Sequence, residues 1–165
     1  MKENTLYFIG LATEYCRALE CVGESGDRDS FVSDMVRLLP RLYMSAMDLE
    51  PDLAVLGEAP LANALDEDYY DAIRRNVEGV LGEEDSYIEV FDEDMRYSDT
   101  PLPMSIAETL ADIFQPLFNF LTAVKDAPEY VVSEAVEGVK SDFEGYWSRK
   151  LCNVMRPLNE LRYGV

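Results

Sequence analysis

Apolar side chains recur at three- and four-residue steps over most of the chain, the period of a helix with one buried face. Phe8, Ile9, Ala12, Cys16, Leu19 and Val22 line one side of a first helix, which Gly23 and Gly26 close. A second begins with Asp27 as N-cap and carries Phe31, Met35, Leu38, Leu39, Leu42 and Ala46. Pro40 lies inside it and predicts a kink or break. Residues 49 to 65, with Pro51, Gly57 and Pro60, have no clear period and read as a connector apolar enough to lie on the core. A third helix over residues 66 to 81 buries Tyr69, Ile73, Val77 and Val80 and ends at Gly82.

Residues 83 to 103 read as an irregular acidic loop around Tyr87-Ile88-Glu89-Val90-Phe91, an extended, half-buried run without an evident partner strand. The fourth helix opens on a capping box, Ser105-Ile106-Ala107-Glu108, whose hydroxyl and carboxylate can satisfy first-turn amides reciprocally. Ile106, Leu110, Ile113, Leu117, Leu121 and Val124 form its buried stripe, with Glu108, Asp112, Gln115 and Asn119 on the other side. Pro116 removes the amide that would bond the Asp112 carbonyl, so a bend is expected there.

Asp126-Ala127-Pro128-Glu129 combines an Asp cap, an early proline and a third-position Glu, a compact turn between antiparallel neighbours. The last helix carries Val132, Ala135, Val139, Phe143, Tyr146, Trp147, Leu151, Val154 and Leu158, and Pro157 bends or ends it. Gly138 and Gly145 share a face of it. Each costs about 1 kcal/mol relative to alanine, so close approach of a neighbouring helix is the expected compensation. The pattern as a whole predicts an all-α fold. One domain over residues 1 to 165 forms an antiparallel bundle of about five helices, with the irregular acidic loop before the fourth.

Length agrees with a single core: a chain of 165 residues buries about 70% of its unfolded surface. Composition changes the functional picture more than the fold. The chain has no histidine, which excludes Ser-His-Asp and Cys-His nucleophile systems and imidazole-ligated zinc. Its net charge of −19 repels nucleic acid and anionic membranes, so direct binding to either is not expected. Cys16, Cys21 and Cys152 lack CxxC spacing and read as buried free thiols; the first two lie about 140° apart around a helix. The N-terminal apolar stretch is too interrupted for a signal peptide, and no run is long enough to span a membrane. A reducing cytoplasm is the expected location.

Candidate chemistry is sparse. Acidic bundles hold di-iron through Glu-x-x-His pairs, which need histidine, or magnesium through Glu-Glu-x-x-Glu, to which Glu134 and Glu137 are the nearest approach. Glu108, Asp112 and Asp142 read as members of polar helix faces. A calcium loop begun at Asp92 would put Tyr97 where glycine is needed and Pro103 where a glutamate must close it. Phosphate loops and dinucleotide fingerprints are missing from the sequence. Tyr146-Trp147 beside Arg149 and Lys150 offers a stacking platform, but Phe143, Tyr146, Trp147 and Leu151 share the core stripe. Tyr69 points inward in the same way, with Tyr70 partly exposed. No catalytic, metal-binding or cofactor-binding residue is assigned, and no cofactor is expected.

Several short segments carry a likeness: Leu38-Leu39-Pro40-Arg41-Leu42-Tyr43, Leu81-Gly82-Glu83-Glu84-Asp85 leading into Glu89-Val90-Phe91-Asp92, and Leu110-Ala111-Asp112-Ile113-Phe114-Gln115 followed by Phe143-Glu144-Gly145-Tyr146-Trp147. With their spacing, the chain resembles an uncharacterised bacterial family of small, acidic, all-helical proteins classed as a domain of unknown function. The resemblance implies a helical bundle and supplies no activity, cofactor or site residue. Pro116 departs from it, since similar sequences run as uninterrupted helix there.

The charge is unevenly placed. Residues 48 to 99 hold seventeen acidic and three basic side chains, against seven and five before them and nine and six after. A complete core without assembled chemistry points to a cytoplasmic interaction or regulatory module whose acidic surface binds a basic protein. Its contact would be Glu83, Glu84, Asp85, Asp92, Glu93 and Asp94. An acidic face that imitates DNA toward a basic DNA-binding protein is a special case. The alternative is a metal-dependent hydrolase of nucleotides or phosphoesters, which requires three or more carboxylates converging in one cleft.

Overall fold

The computed structural model describes residues 1–52, 61–89 and 102–164. Within them run α1 (Glu3–Ser25), α2 (Arg28–Met47), α3 (Glu67–Leu81), α4 (Ile106–Val124), α5 (Glu129–Asp142) and α6 (Ser148–Tyr163). A π-helical turn, Phe143–Trp147, joins α5 to α6 with the backbone right-handed at both ends, so the two form one rod and the bundle has five. The fold is all-α, as the periodicity predicts.

The N-cap signals act as expected, whereas Gly23, expected with Gly26 to close the first helix, lies inside α1. Asp27 accepts from the Ser30 amide, Asp66 from the Tyr69 amide at 2.7 Å, and the Ser105 hydroxyl from the Glu108 amide at 3.1 Å. Gly26 (φ 61°) and Gly82 (φ 59°) end α1 and α3 with backbones that L side chains rarely adopt. The turn after α4 is different. Asp126 itself takes φ 53°, and the N-cap of α5 is Pro128, without a side-chain bond. The fixed φ of proline, rather than an aspartate cap, sets the start of α5.

Pro40, Pro116 and Pro157 do not end their helices. The break expected at Pro40 does not occur because Leu38 and Leu39 before it and Leu42 and Ala46 after it are buried in one core. Packing on both sides outweighs one lost backbone bond. Gly138 does permit a close approach, but of the connector: a Cβ there would stand 2.9 Å from Cγ of Leu61. Gly145 faces open space in the π turn, so the expected helix contact is absent there. Of the cysteines, all free, Cys16 is buried while Cys21 and Cys152 are exposed, contrary to expectation. The angular separation of Cys16 and Cys21 carries the second off the buried face.

α4 lies at the centre, packed against α1, α3, α5 and α6. Ile106, Ala107, Leu110, Ala111, Ile113, Phe114, Leu117 and Phe120 are all fully enclosed, so burial runs around this helix rather than along one stripe. Phe8 meets Phe120 edge-on at 5.3 Å, and Phe143 meets both Tyr43 (5.0 Å) and Trp147 (4.6 Å). Tyr146, placed on the core stripe by simple periodicity, is instead 47% exposed. The i→i+5 bonding of the π turn brings Phe143 and Trp147 onto one face and rotates Tyr146 outward.

The described ends of the acidic segment after α3 hold regular structure that its composition does not predict. A 3₁₀ turn (Gly82–Asp85) leads into β1 (Ser86–Ile88), which pairs antiparallel with β2 (Pro103–Ser105), Tyr87 opposite Met104. The partner strand that the sequence leaves unidentified is the lead-in to α4. Asp85 closes this junction: its carboxylate accepts from the Ser105 hydroxyl at 2.6 Å and from the Ala107 amide at 2.7 Å. An anion is thereby held at the positive end of the central helix.

Asp85→Ala is expected to destabilise the protein by about 1–2 kcal/mol in denaturant titration. Because Asp85 and Ser105 share one network, its cost in a Ser105→Ala background should be smaller. Fully additive losses would show that the two residues act separately.

Candidate functional site

Thr109, Asp112, Gln115 and Asn119 recur at three- and four-residue steps along one edge of α4. Polarity alone assigns that edge to solvent, but four separate elements cover it. The Tyr87 and Thr109 hydroxyls meet at 3.0 Å, tying β1 to α4. Tyr70 of α3 donates to Oδ1 of Asp112 at 2.6 Å, and the Lys150 ammonium of α6 lies 3.2 Å from Oδ2. Gln115 donates to Oδ1 of Asn63, and Oδ1 of Asn119 accepts from the Ala64 amide at 2.8 Å. Asn119, expected on a polar face, is therefore a buried anchor for the connector.

Asp112 also borders an open cleft of about 530 Å³. The connector lends Asn63 and Leu65 to its lining, the start of α3 lends Asp66, Glu67, Tyr70 and Asp71, and α4 lends Asp112 and Gln115. Asp66 sits there because it caps α3, and Tyr70 lies one helical turn on. Asp71 is 3.6 Å from Arg74, which also pairs with Glu78 at 2.6 Å.

Several tyrosines and one lysine around Asp112 are shifted away from neutral pH. Burial raises the Tyr70 phenol well above its ordinary value of 10.0, and the hydrogen bond to the Asp112 carboxylate raises it further. Tyr15, fully buried and donating to the Leu110 carbonyl at 2.6 Å, is raised by burial as well. For Lys150, burial works against the charge, but Asp112 together with Tyr146 and Tyr87 outweighs it and the pKa rises. Tyr146, beneath the Lys150 ammonium at 5.6 Å, is raised by burial and by Asp112. General acid or base catalysis needs a group that exchanges its proton near the working pH. Tyr70 and Lys150 are moved the other way, an arrangement suited to fixed hydrogen bonding and charge.

The sequence model of a family described as a domain of unknown function, DUF5063, matches residues 1–164. The chain belongs to the DUF5063 family. A similar solved structure is that of protein BF1032 from Bacteroides fragilis, a structural genomics target, with a TM-score of 0.83 and 27% identity over 99% of this chain and 95% of that one. No curated protein matches the chain. Both findings agree with the resemblance to an uncharacterised bacterial family of helical proteins.

In this DUF5063 protein the 3₁₀ turn brings Glu83, Glu84 and Asp85 together. Glu83 is exposed, Glu84 pairs with Arg28 at 2.8 Å, and Asp85 is turned inward onto α4. Asp92, Glu93 and Asp94 lie outside the described residues. Sequence reasoning misses Tyr70, Lys150 and Asn63 as members of the cleft and its support. The available signal was Asp112, a carboxylate in the most apolar helix, which demands partners from elsewhere. Among the described residues, no three Cys, Asp or Glu side chains are grouped to hold a metal ion, so the hydrolase alternative gains no described site. Among the same residues, no helix is long and apolar enough to cross a membrane.

Because Tyr15 and Tyr70 keep their protons beyond the ordinary phenol value of 10.0, the unfolded chain releases protons first as pH rises. Stability should then be fully present below about pH 10 and fall above it. Tyr70→Phe should make that fall shallower in denaturant titrations at alkaline pH. An unchanged slope would mean that the Tyr70 proton is not held by the fold.

Proposed function

We propose that this DUF5063 protein is a non-catalytic cytoplasmic binding module whose acidic side receives a basic protein partner. One observation carries the reading: the segment with seventeen acidic and three basic residues folds so that Glu67, Asp68, Glu83 and Glu84 are exposed along α3 and the turn after it. Arg74 and Arg28 offset part of this charge, through Asp71, Glu78 and Glu84, and leave an excess. A surface field of one sign accelerates encounter with a cationic partner and suppresses others. The exposed free thiols Cys21 and Cys152 fit a reducing compartment.

The test is affinity capture from bacterial lysate with the wild-type protein and with an Asp68→Asn, Glu83→Gln, Glu84→Gln variant. Basic proteins are expected on the wild type, diminishing as salt rises, and depleted on the variant. Equal recovery on both would refute the reading. Competition by duplex DNA would separate a DNA-binding partner from other basic proteins.

A further inference from the structure

We infer that the outer edge of the α1–α2 pair is a twofold interface with a second copy of this chain. Its composition sets it apart. The chain has 33 acidic residues in 165, yet residues 35 to 47 of α2 hold two arginines and no carboxylate. Arg37, Arg41 and Met44, spaced four and three apart, follow one face of α2, and all three are exposed. Met44 and Met47 are 65% and 58% exposed, and Tyr7 on α1 is 52% exposed. Met, Tyr and Arg are the residue types enriched at protein interfaces. Among the described residues neither arginine forms an ion pair, in a chain where carboxylates outnumber cations 33 to 14.

Charge complementarity identifies the occupant. Asn4 donates to the Asp48 carbonyl at 3.0 Å, which sets the register between the antiparallel α1 and α2. Counted along both helices from that bond, Tyr7 is level with Ser45 beside Met44, and Gly10 with Leu42. Glu14 is level with Leu38, between Arg37 and Arg41. It is exposed and likewise has no ion pair among the described residues. A twofold axis parallel to the helices lays α1 of one copy across α2 of the other at the same height. Glu14 then meets Arg37 and Arg41 of the second copy, Tyr7 meets Met44, and each contact occurs twice.

Gly10 is an independent observation in favour. It lies inside α1, where glycine weakens a helix, and a Cβ there would meet nothing within 4 Å. No contact within the chain requires a glycine. At the interface it stands at the centre, between Tyr7 and Glu14, where the missing side chain lets two helices approach closely. This edge is separate from α3 and the acidic turn after it, so it stands or falls apart from the binding-module reading.

Sedimentation velocity of the full chain tests the assignment, in about 0.15 M salt, where repulsion between the net-negative copies is confined to about 8 Å. Over about 1 to 500 μM the mass should rise from one chain toward two. Arg41→Glu should weaken association at least about tenfold, and so should Glu14→Arg. Both changes in one chain exchange the charges, and association should regain about fivefold over either single variant. Gly10→Leu should weaken association about tenfold while the monomer keeps its stability in denaturant, since its own fold leaves that space open. A single-chain mass at every concentration, a dimer that Arg41→Glu or Gly10→Leu leaves intact, or a charge-exchanged chain no better than the single variants would overturn the assignment.

Discussion

A helix enclosed by four others cannot leave a polar group unpaired, and that constraint on α4 organises the rest of the protein. Each unpaired buried group would cost about 1–3 kcal/mol, a large part of the stability of a domain of this size. The polar edge of α4 is therefore a seam to which neighbours must bring complements. Tyr87 answers Thr109, Tyr70 and Lys150 answer Asp112, and the connector answers Gln115 and Asn119. At the N-terminus of the same helix, Asp85 supplies the acceptor for Ala107. Apolar contact brings α1, α3, α5 and α6 around α4, but contact of that kind is non-directional. The seam is what selects one rotation and one height for α3 and α6.

What the sequence discloses and conceals follows from the range of each interaction. Caps at Asp27, Asp66 and Ser105 and stops at Gly26 and Gly82 act within one turn, and all are legible. The Asp85 cap joins residues 20 and 22 positions apart, and nothing local distinguishes Asp85 from Glu83 or Glu84. Periodicity reports which positions are polar, not what covers them, so Asp112 and Asn119 read as solvent-facing when they are seam residues. It also assumes a constant turn: the π turn at Phe143–Trp147 shifts the phase, which is why Tyr146 leaves the stripe that Phe143 and Trp147 keep. β1 and β2 are three residues each, too short for any alternation to declare them, and β2 begins with a proline. The cleft was half visible, through the acidic start of α3, but its other side needed the tertiary placement of Asn63 and Gln115.

The acidic excess cannot be explained by folding. Exposed pairs such as Arg28–Glu84 and Arg74–Asp71 stabilise little, and accumulated like charge opposes the compact state. The core is closed without it: Phe8, Tyr15, Leu39, Phe114, Phe120 and Trp147 are fully buried. Charge that folding does not require, gathered on one third of the chain, is charge available for recognition.

Asp112 joins the two halves of this picture. It belongs to the seam, which fixes α3 and α6 against α4, and it also borders the cleft. A cleft built on a seam inherits its rigidity, since Tyr70, Asp112 and Gln115 are already engaged by the fold. The same coupling means that loss of Asp112 would release Tyr70 and leave the half-buried Lys150 ammonium without its carboxylate, disturbing two helix contacts along with the site. Glu67 and Gln115 are different. Glu67 is exposed and Gln115 contributes one long hydrogen bond, so either can change without loosening the seam.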